Sequence, residues 1–215
     1  MLGLHVTVPV ACFRKGLARE YLETEQLPPP ATCYGFLLSL VGEVDRNRHV
    51  GSRITAAIVG SPDISVVLRT VWRVKSKPLG SSGNTRPDFQ QLLSGIELVI
   101  WLDSTDEPTS SEPTLENRVR SVVYDRQYAK VTRFGGLSLG ESTHLVDDVS
   151  PYSTTVPLAG RTFLLAEQGR MTLPVWVDHV GSAGTNYVTG DLVAGPVIEP
   201  ELDRLPKIES KGSVP

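Results

Sequence analysis

Hydrophobic and polar positions change period several times along this chain, and each change marks an element. Residues 2–12, LGLHVTVPVAC, are rich in valine and alternate, which predicts a buried first strand ending near Phe13. The mixed, polar segment FRKGLAREYLETEQ reads as a loop with at most a short helical turn. PPPATCYGFLLSLVGE then opens a helix of about three turns. Its prolines suit the entry and first turn, Cys33, Leu37 and Leu40 share a stripe, and Gly42 suits the stop. Gly35 weakens such a helix by about 1 kcal/mol, which points to close packing against a neighbour. DISVVLRTVWRVK, residues 63–75, reads as a long strand, and IELVIWLD, residues 96–103, as its returning partner. LENRVRSVVYD makes a second helix, with Thr114 as cap and Leu115, Val119 and either Val122 or Val123 facing inward.

After the second helix the pattern breaks into short strand-like pieces: FGGLSLGES, HLVDDVSPY, GRTFLLAEQG and LPVWVDHV. From about Asp191 proline and acid increase and aromatics vanish, so 191–215 is expected to be a poorly ordered tail. The order strand, helix, strand, strand, helix, strand predicts an α+β, ferredoxin-like fold over residues 1–150, with a small β-rich carboxyl-terminal region at 151–190. Helices in this fold cover one sheet face and leave the other available, an arrangement that RNA-binding modules use. It also hosts enzymes, transport proteins and regulatory domains, so it does not settle function.

Composition narrows the classes. The chain has 215 residues, 40% of them hydrophobic, and its apolar runs are too short to span a bilayer. MLGLHVTVPV lacks the basic start and long apolar stretch of a secretory signal. Cys12 and Cys33 match no metal-ligand spacing and are expected to be buried free thiols, which together point to a cytoplasmic address. Net charge is −3, but the distribution is uneven. Residues 69–87 carry Arg69, Arg73, Lys75, Lys77 and Arg86 with no acid among them, and 97–116 carry six acids and no base.

These residues offer several chemistries. Glu141, His144, Asp147 and Asp148, with Asp178 and His179, offer metal-ligating atoms, yet no HExxH or other known spacing joins them. No GxSxG elbow is present. His5 reads as structural, and His49, after Arg46 and Arg48, reads as a surface histidine in a polar loop. FGGLSLGES fits either a tight turn or an anion cradle. Gly135, Gly136 and Gly140 let amides approach a phosphate, Ser138, Ser142 and Thr143 add hydroxyls, and Lys130 and Arg133 stand upstream. Neither a P-loop nor a GxGxxG accompanies it. Arg73, Lys75, Lys77 and Arg86 suit successive phosphates, Asn84 and Thr85 polar base edges, and Phe89 a stacked base. Arg14, Lys15, Arg19 and Tyr21 repeat that mixture of cation and aromatic, and the plain alternative for both patches is solvated loop.

Three segments resemble one family. YLETEQLPPPATCYGFLLSLVGE is similar to the first-helix segment, and SLGESTHLVDDV to the glycine-containing segment, of the subunit that caps the 5′ end of guide RNA in type I CRISPR surveillance (Cascade) complexes. That family belongs to the RAMP superfamily of RNA-binding proteins. LPVWVDHVGSAGTNYV resembles the carboxyl region of its type I-B-like and developmental-operon branch, so the likeness covers about residues 2–190.

The resemblance implies a ferredoxin-like (RRM-like) domain with a thumb between its second and third strands, placed at about 76–95. It implies as partners the crRNA 5′ handle along the sheet and glycine-rich loop, a backbone subunit under the thumb, and a large subunit, with room for target DNA near the foot of the complex. No membrane and no cofactor are implied. By carry-over, Arg14, Lys15, Ser138, Gly140 and Glu141 are handle contacts, and Thr32 and Tyr34 support the pocket. Glu141 has three roles open to it: a base-edge acceptor, a partner to arginine, or a structural hydrogen-bonding group. Trp72, Trp101 and Trp176 are either subunit contacts or core. A type I-C branch of the family cleaves precursor guide RNA without metal, and His49, Tyr21 and Lys15 are the groups that would serve it. The expectation is a non-catalytic subunit, with that endoribonuclease and a purely protein-binding scaffold as alternatives.

Overall fold

Strand alternation builds the centre of the molecule. The computed structural model describes residues 1–16, 21–72, 78, 80–125, 131–133, 135–153, 155–178 and 183–210, the side chains of 71, 72, 85 and 86 excepted. In chain order the elements are β1 (Leu2–Ala11), β2 (Tyr21–Leu22), α1 (Pro30–Leu40), β3 (Arg53–Val59), β4 (Asp63–Trp72), β5 (Thr85–Asp103), α2 (Leu115–Tyr124), β6 (Asp148–Pro151), β7 (Ala159–Leu165), β8 (Met171–Trp176) and β9 (Asn186–Pro196). The sheet runs β6-β1-β5-β3-β7-β9-β8, and its first four members pair antiparallel in the ferredoxin-like order.

Register explains the core. Leu4 lies opposite Ile100, which also faces Ala56, and Val6 lies opposite Leu98, which also faces Ile58. All six belong to the main apolar cluster with Leu37 of α1 and Val119 of α2. Burying each large aliphatic side chain contributes about 1.5–3 kcal/mol relative to exposure, so this ladder dominates stability. Pro30 occupies the first turn of α1, and Gly42 ends its last turn at φ 68, where a Cβ would meet the Thr132 carbonyl at 2.5 Å. Thr114 caps α2 by accepting a bond from the Asn117 amide, and Leu115, Val119 and Val123 are the buried stripe.

Four expectations change. The second core strand is Arg53–Val59, not 63–75. RITAAIV shows no alternation because both its faces are covered, which hides a central strand from a period-two reading. Residues 63–72 instead pair with 85–94 as a hairpin projecting from the sheet, so the excursion between core strands begins near Gly60 and is built of strand. Gly35 faces open space, with nothing within 4 Å of an added Cβ, so it marks no helix packing.

The fourth change concerns the carboxyl end. Residues 191–210 are not a loose tail: β9 continues to Pro196, and Val197, Leu205 and Ile208 are buried. The Ile208 amide bonds the Ser52 carbonyl at 2.8 Å, and the Ile54 amide bonds the Pro206 carbonyl at 2.9 Å. Apolar residues spaced widely among prolines suffice here because the chain lies along the start of β3. Val197 and Leu205 cover Ala57, Val99 and Trp101, so the centre of the sheet face opposite the helices is occupied. Residues 159–196 form β7, β8 and β9, which extend the same sheet through β3 and β7.

Candidate functional site

The stretch LSLGESTHLVDD folds as a tight turn against the end of β1. Leu139 and Val146 amides bond the His144 and Leu137 carbonyls at 3.0 Å each, and the His144 amide closes onto Glu141 at 2.9 Å. Gly140 sits at φ +97, and a Cβ there would stand 2.9 Å from the Cys12 carbonyl. Only glycine meets both demands comfortably. His144 Nδ1 accepts from the Cys12 amide at 3.2 Å and the Glu141 amide at 3.3 Å. Burial lowers the His144 pKa, Arg69 adds to the effect, and Glu141 opposes it. Asp147 and Asp148 then lead into β6 through the Asp147 amide and Thr7 carbonyl. Among the described residues no group of three or more His, Cys, Asp or Glu is arranged to hold a metal.

Glu141 takes the second and third of its three roles. Its Oε1 accepts from Gln90 Nε2 at 2.9 Å, and its Oε2 lies 3.4 Å from Arg69 Nη1. The carboxylate thereby ties the glycine turn to the middle of the β4–β5 hairpin. Thr24 continues this polar belt, accepting from the Phe13 amide at 2.9 Å while its own amide reaches Gln91 at 3.0 Å.

Beside the turn lies a groove of about 360 Å³. One wall is α1, with Ala31, Thr32, Gly35, Phe36, Leu38 and Ser39, and the other is Ser138 and Gly140. Arg46 and Val177 form its end. Tyr34 is buried and supports the groove from beneath, its hydroxyl donating to the Arg46 carbonyl at 2.7 Å. Burial raises its pKa well above the usual phenol range. Burial does the same for both cysteine thiols, which are free and buried as read.

The other sequence candidates scatter. Arg14 is exposed and bridges Thr24, while Lys15 lies 3.8 Å from Glu23. Ser142 is exposed on the turn. Arg133 lines a different cavity, with Leu40, Val123, Asp147 and Asp148. Asn84 is buried, and its amide donates to the Pro78 carbonyl at 2.8 Å, so it is no free reader of base edges. Phe89 is half exposed on the hairpin. Arg86 sits in β5 opposite Val71, its side chain beyond the description, and Arg73, Lys75 and Lys77 lie outside the described residues. Trp101 and Trp176 are core residues.

His49 is a correction. It is fully buried, not a surface histidine. Arg118 donates to its Nε2 at 2.9 Å, so the ring proton sits on Nδ1 and is donated to Glu107 at 2.7 Å. Glu107 also accepts from Ser52, Ser104 and the Leu115 amide, joining β3, the end of β5 and the start of α2. Burial works against its ionisation, but these donors win and hold its pKa below the ordinary value. Glu43 pairs with Arg48 and Arg118, and despite burial its pKa falls to about 2. A histidine with both nitrogens committed in the interior is unable to activate an RNA hydroxyl. Sequence reasoning passed over Arg46, whose guanidinium lies on Trp176. The two stand 130 positions apart, and no local signal pairs them.

The fold and its added hairpin define a class: a mixed α+β protein of RAMP-like, ferredoxin-like topology. A chain of a CRISPR RNA-guided surveillance complex superposes with a TM-score of 0.61 at 12% identity, over 91% of this chain and 89% of that one. A chain from a crystal structure of a Cas protein gives 0.50 at 15%, over 91% and 94%. Those likenesses establish the fold; no family model matches. The sequence goes further, being 54% identical over 211 residues, 97% of each chain, to the CRISPR-associated protein Cas5 of Myxococcus xanthus (strain DK1622). The chain belongs to the Cas5 family.

Proposed function

We propose that the chain is a non-catalytic, cytoplasmic subunit of a type I CRISPR surveillance complex. In this reading it binds the 5′ repeat-derived handle of crRNA and caps the backbone filament next to the large subunit. The observation that carries the reading is the groove between the Gly140 turn and α1. Its walls combine small and hydroxylated residues with Phe36 and Leu38, its end is cationic, and its floor is fixed by Tyr34. Splayed nucleotides need such a slot. The groove takes the handle because the C-terminal segment occupies the centre of the sheet face.

The β4–β5 hairpin serves as the thumb. Its exposed Ile64, Val66 and Leu68, with Phe89 opposite Leu68, form an apolar face that suits the neighbouring backbone subunit. The burial of His49 weighs against the endoribonuclease alternative.

Fluorescence anisotropy of the full chain with guide RNA, with and without its 5′ repeat-derived nucleotides, tests the assignment. Thr32→Glu, which sets a carboxylate on the groove wall, should weaken handle binding at least tenfold with thermal stability unchanged. Equal binding of both RNAs, or indifference to Thr32→Glu, would overturn it.

A further inference from the structure

Arg46 differs from its neighbouring cations. Arg48 and Arg118 share Glu43, Arg53 pairs with Asp106, Arg69 with Glu141, and Arg120 with Glu116. Arg46 makes no ion pair among the described residues, although it is half-buried. Its guanidinium carbon stands 3.8 Å from the centroid of the Trp176 ring, and its Nη2 donates to the Val177 carbonyl at 2.8 Å. Trp176 is buried and does not line the groove, whereas Arg46 does. The guanidinium therefore rests on the indole, and Arg46 joins that buried ring to the groove lining.

We propose that the guanidinium face away from Trp176 opens on the groove and is a stacking platform for one unpaired base of RNA held there. The inference rests on the groove being the RNA site and adds how it grips a base. Stacking fits better than a phosphate clamp. A bidentate clamp uses the edge of the guanidinium fork, and one terminal nitrogen is already committed to Val177. The π-face, by contrast, is free, and arginine planes stack on bases in single-stranded RNA recognition. The Trp176 ring beneath holds the cation flat, and the Tyr34 hydroxyl fixes the Arg46 backbone. On the α1 wall, Gly35 leaves the space for a planar group, since a Cβ there meets nothing within 4 Å.

The test is abasic scanning. Short single-stranded RNAs, each lacking one base, are titrated against the wild-type full chain, Arg46→Lys and Gly35→Leu. Lysine keeps the charge and loses the plane, and leucine sets a side chain in the slot while Arg46 and Trp176 themselves are unchanged. Each variant should bind intact RNA about tenfold more weakly, equivalent to about 1.4 kcal/mol. One abasic RNA should show the same loss on the wild type and no further loss on either variant. Wild-type affinity in Arg46→Lys, or a loss equal on every abasic RNA, overturns the stacking role, and so does an indifferent Gly35→Leu. If wild type binds RNA and Thr32→Glu weakens it while these two variants are neutral, this inference alone fails. A wild type that binds no RNA sinks the assignment of the groove as well.

Discussion

One strand, β5, belongs to two regions that behave differently. Residues 96–103 lie in the core, where Ile96, Leu98, Ile100 and Leu102 have almost no exposure. Residues 85–94 form the hairpin with β4, where Ile64, Val66 and Leu68 are 62%, 51% and 62% exposed and Phe89 is 49% exposed. The hairpin half of β5 is the more polar one, its exposed apolar side chains coming mostly from β4, and it also lacks a covering layer. Helices and β1 close over the first region, while β4 is an edge strand paired with β5 alone. Apolar alternation on a projecting edge strand does not stabilise the monomer, and it is a hazard unless a partner covers it. The difference teaches that the core half is there for folding, and it fits the assembly role proposed for the hairpin half.

Substitutions along this strand should therefore fall in a steep gradient. Leu98→Ala leaves a cavity in the ladder and should cost about 2–5 kcal/mol in urea unfolding. A cost near that of a surface site would break the comparison.

The junction comes next. Val8 and Ile96 face inward, and so do Ala11 and Leu93, three residues further on in each strand. Both strands thus exchange inner and outer faces at Pro9 and Gly95 with the register intact. Gly95 does so at φ 66. Gly95→Ala meets no steric obstacle from neighbours but must hold a left-handed backbone, at a cost of about 1–2 kcal/mol. The same unfolding assay measures it, and a neutral result would mean that the kink is not enforced by glycine.

How far the sequence foretold these regions depends on where each residue's partners lie. Helix α1, its Gly42 stop and the Thr114 cap of α2 were legible because their causes sit within four residues of one another. RITAAIV was passed over because a strand covered on both faces has no period, and a weaker alternating run nearby took its place. His49 read as surface because its neighbours are charged, yet Glu107 and Arg118, 58 and 69 positions away, bury it. In the groove, Ser138, Gly140 and Thr32 were named from segment likeness, and the structure brings them together. Lys15, named from the same likeness, stands instead beside Glu23, and Arg133, named from charge, lines another cavity, because charge alone carries no geometry.

Phe89→Ser is the smallest expected change in the monomer and the sharpest for function. Half of the ring is already in water, and it sits directly opposite Leu68 on the open face. Unfolding free energy should move by about 0.5 kcal/mol or less, as at other surface positions. Recovery of the chain with its backbone subunit on co-purification should fall sharply, because an aromatic at the centre of an apolar patch is the side chain on which interfaces most depend. The readouts also separate the two partners that Phe89 suits. If the ring stacks on RNA, handle affinity of the isolated chain drops and assembly follows it down. If it docks on protein, handle affinity stays at the wild-type value while co-purification is lost. The hairpin's geometry favours the second outcome, since Ile64, Val66 and Leu68 extend one apolar face that has no cation among them. Loss of RNA affinity with assembly intact would reverse the division of β5 into a folding half and an assembly half.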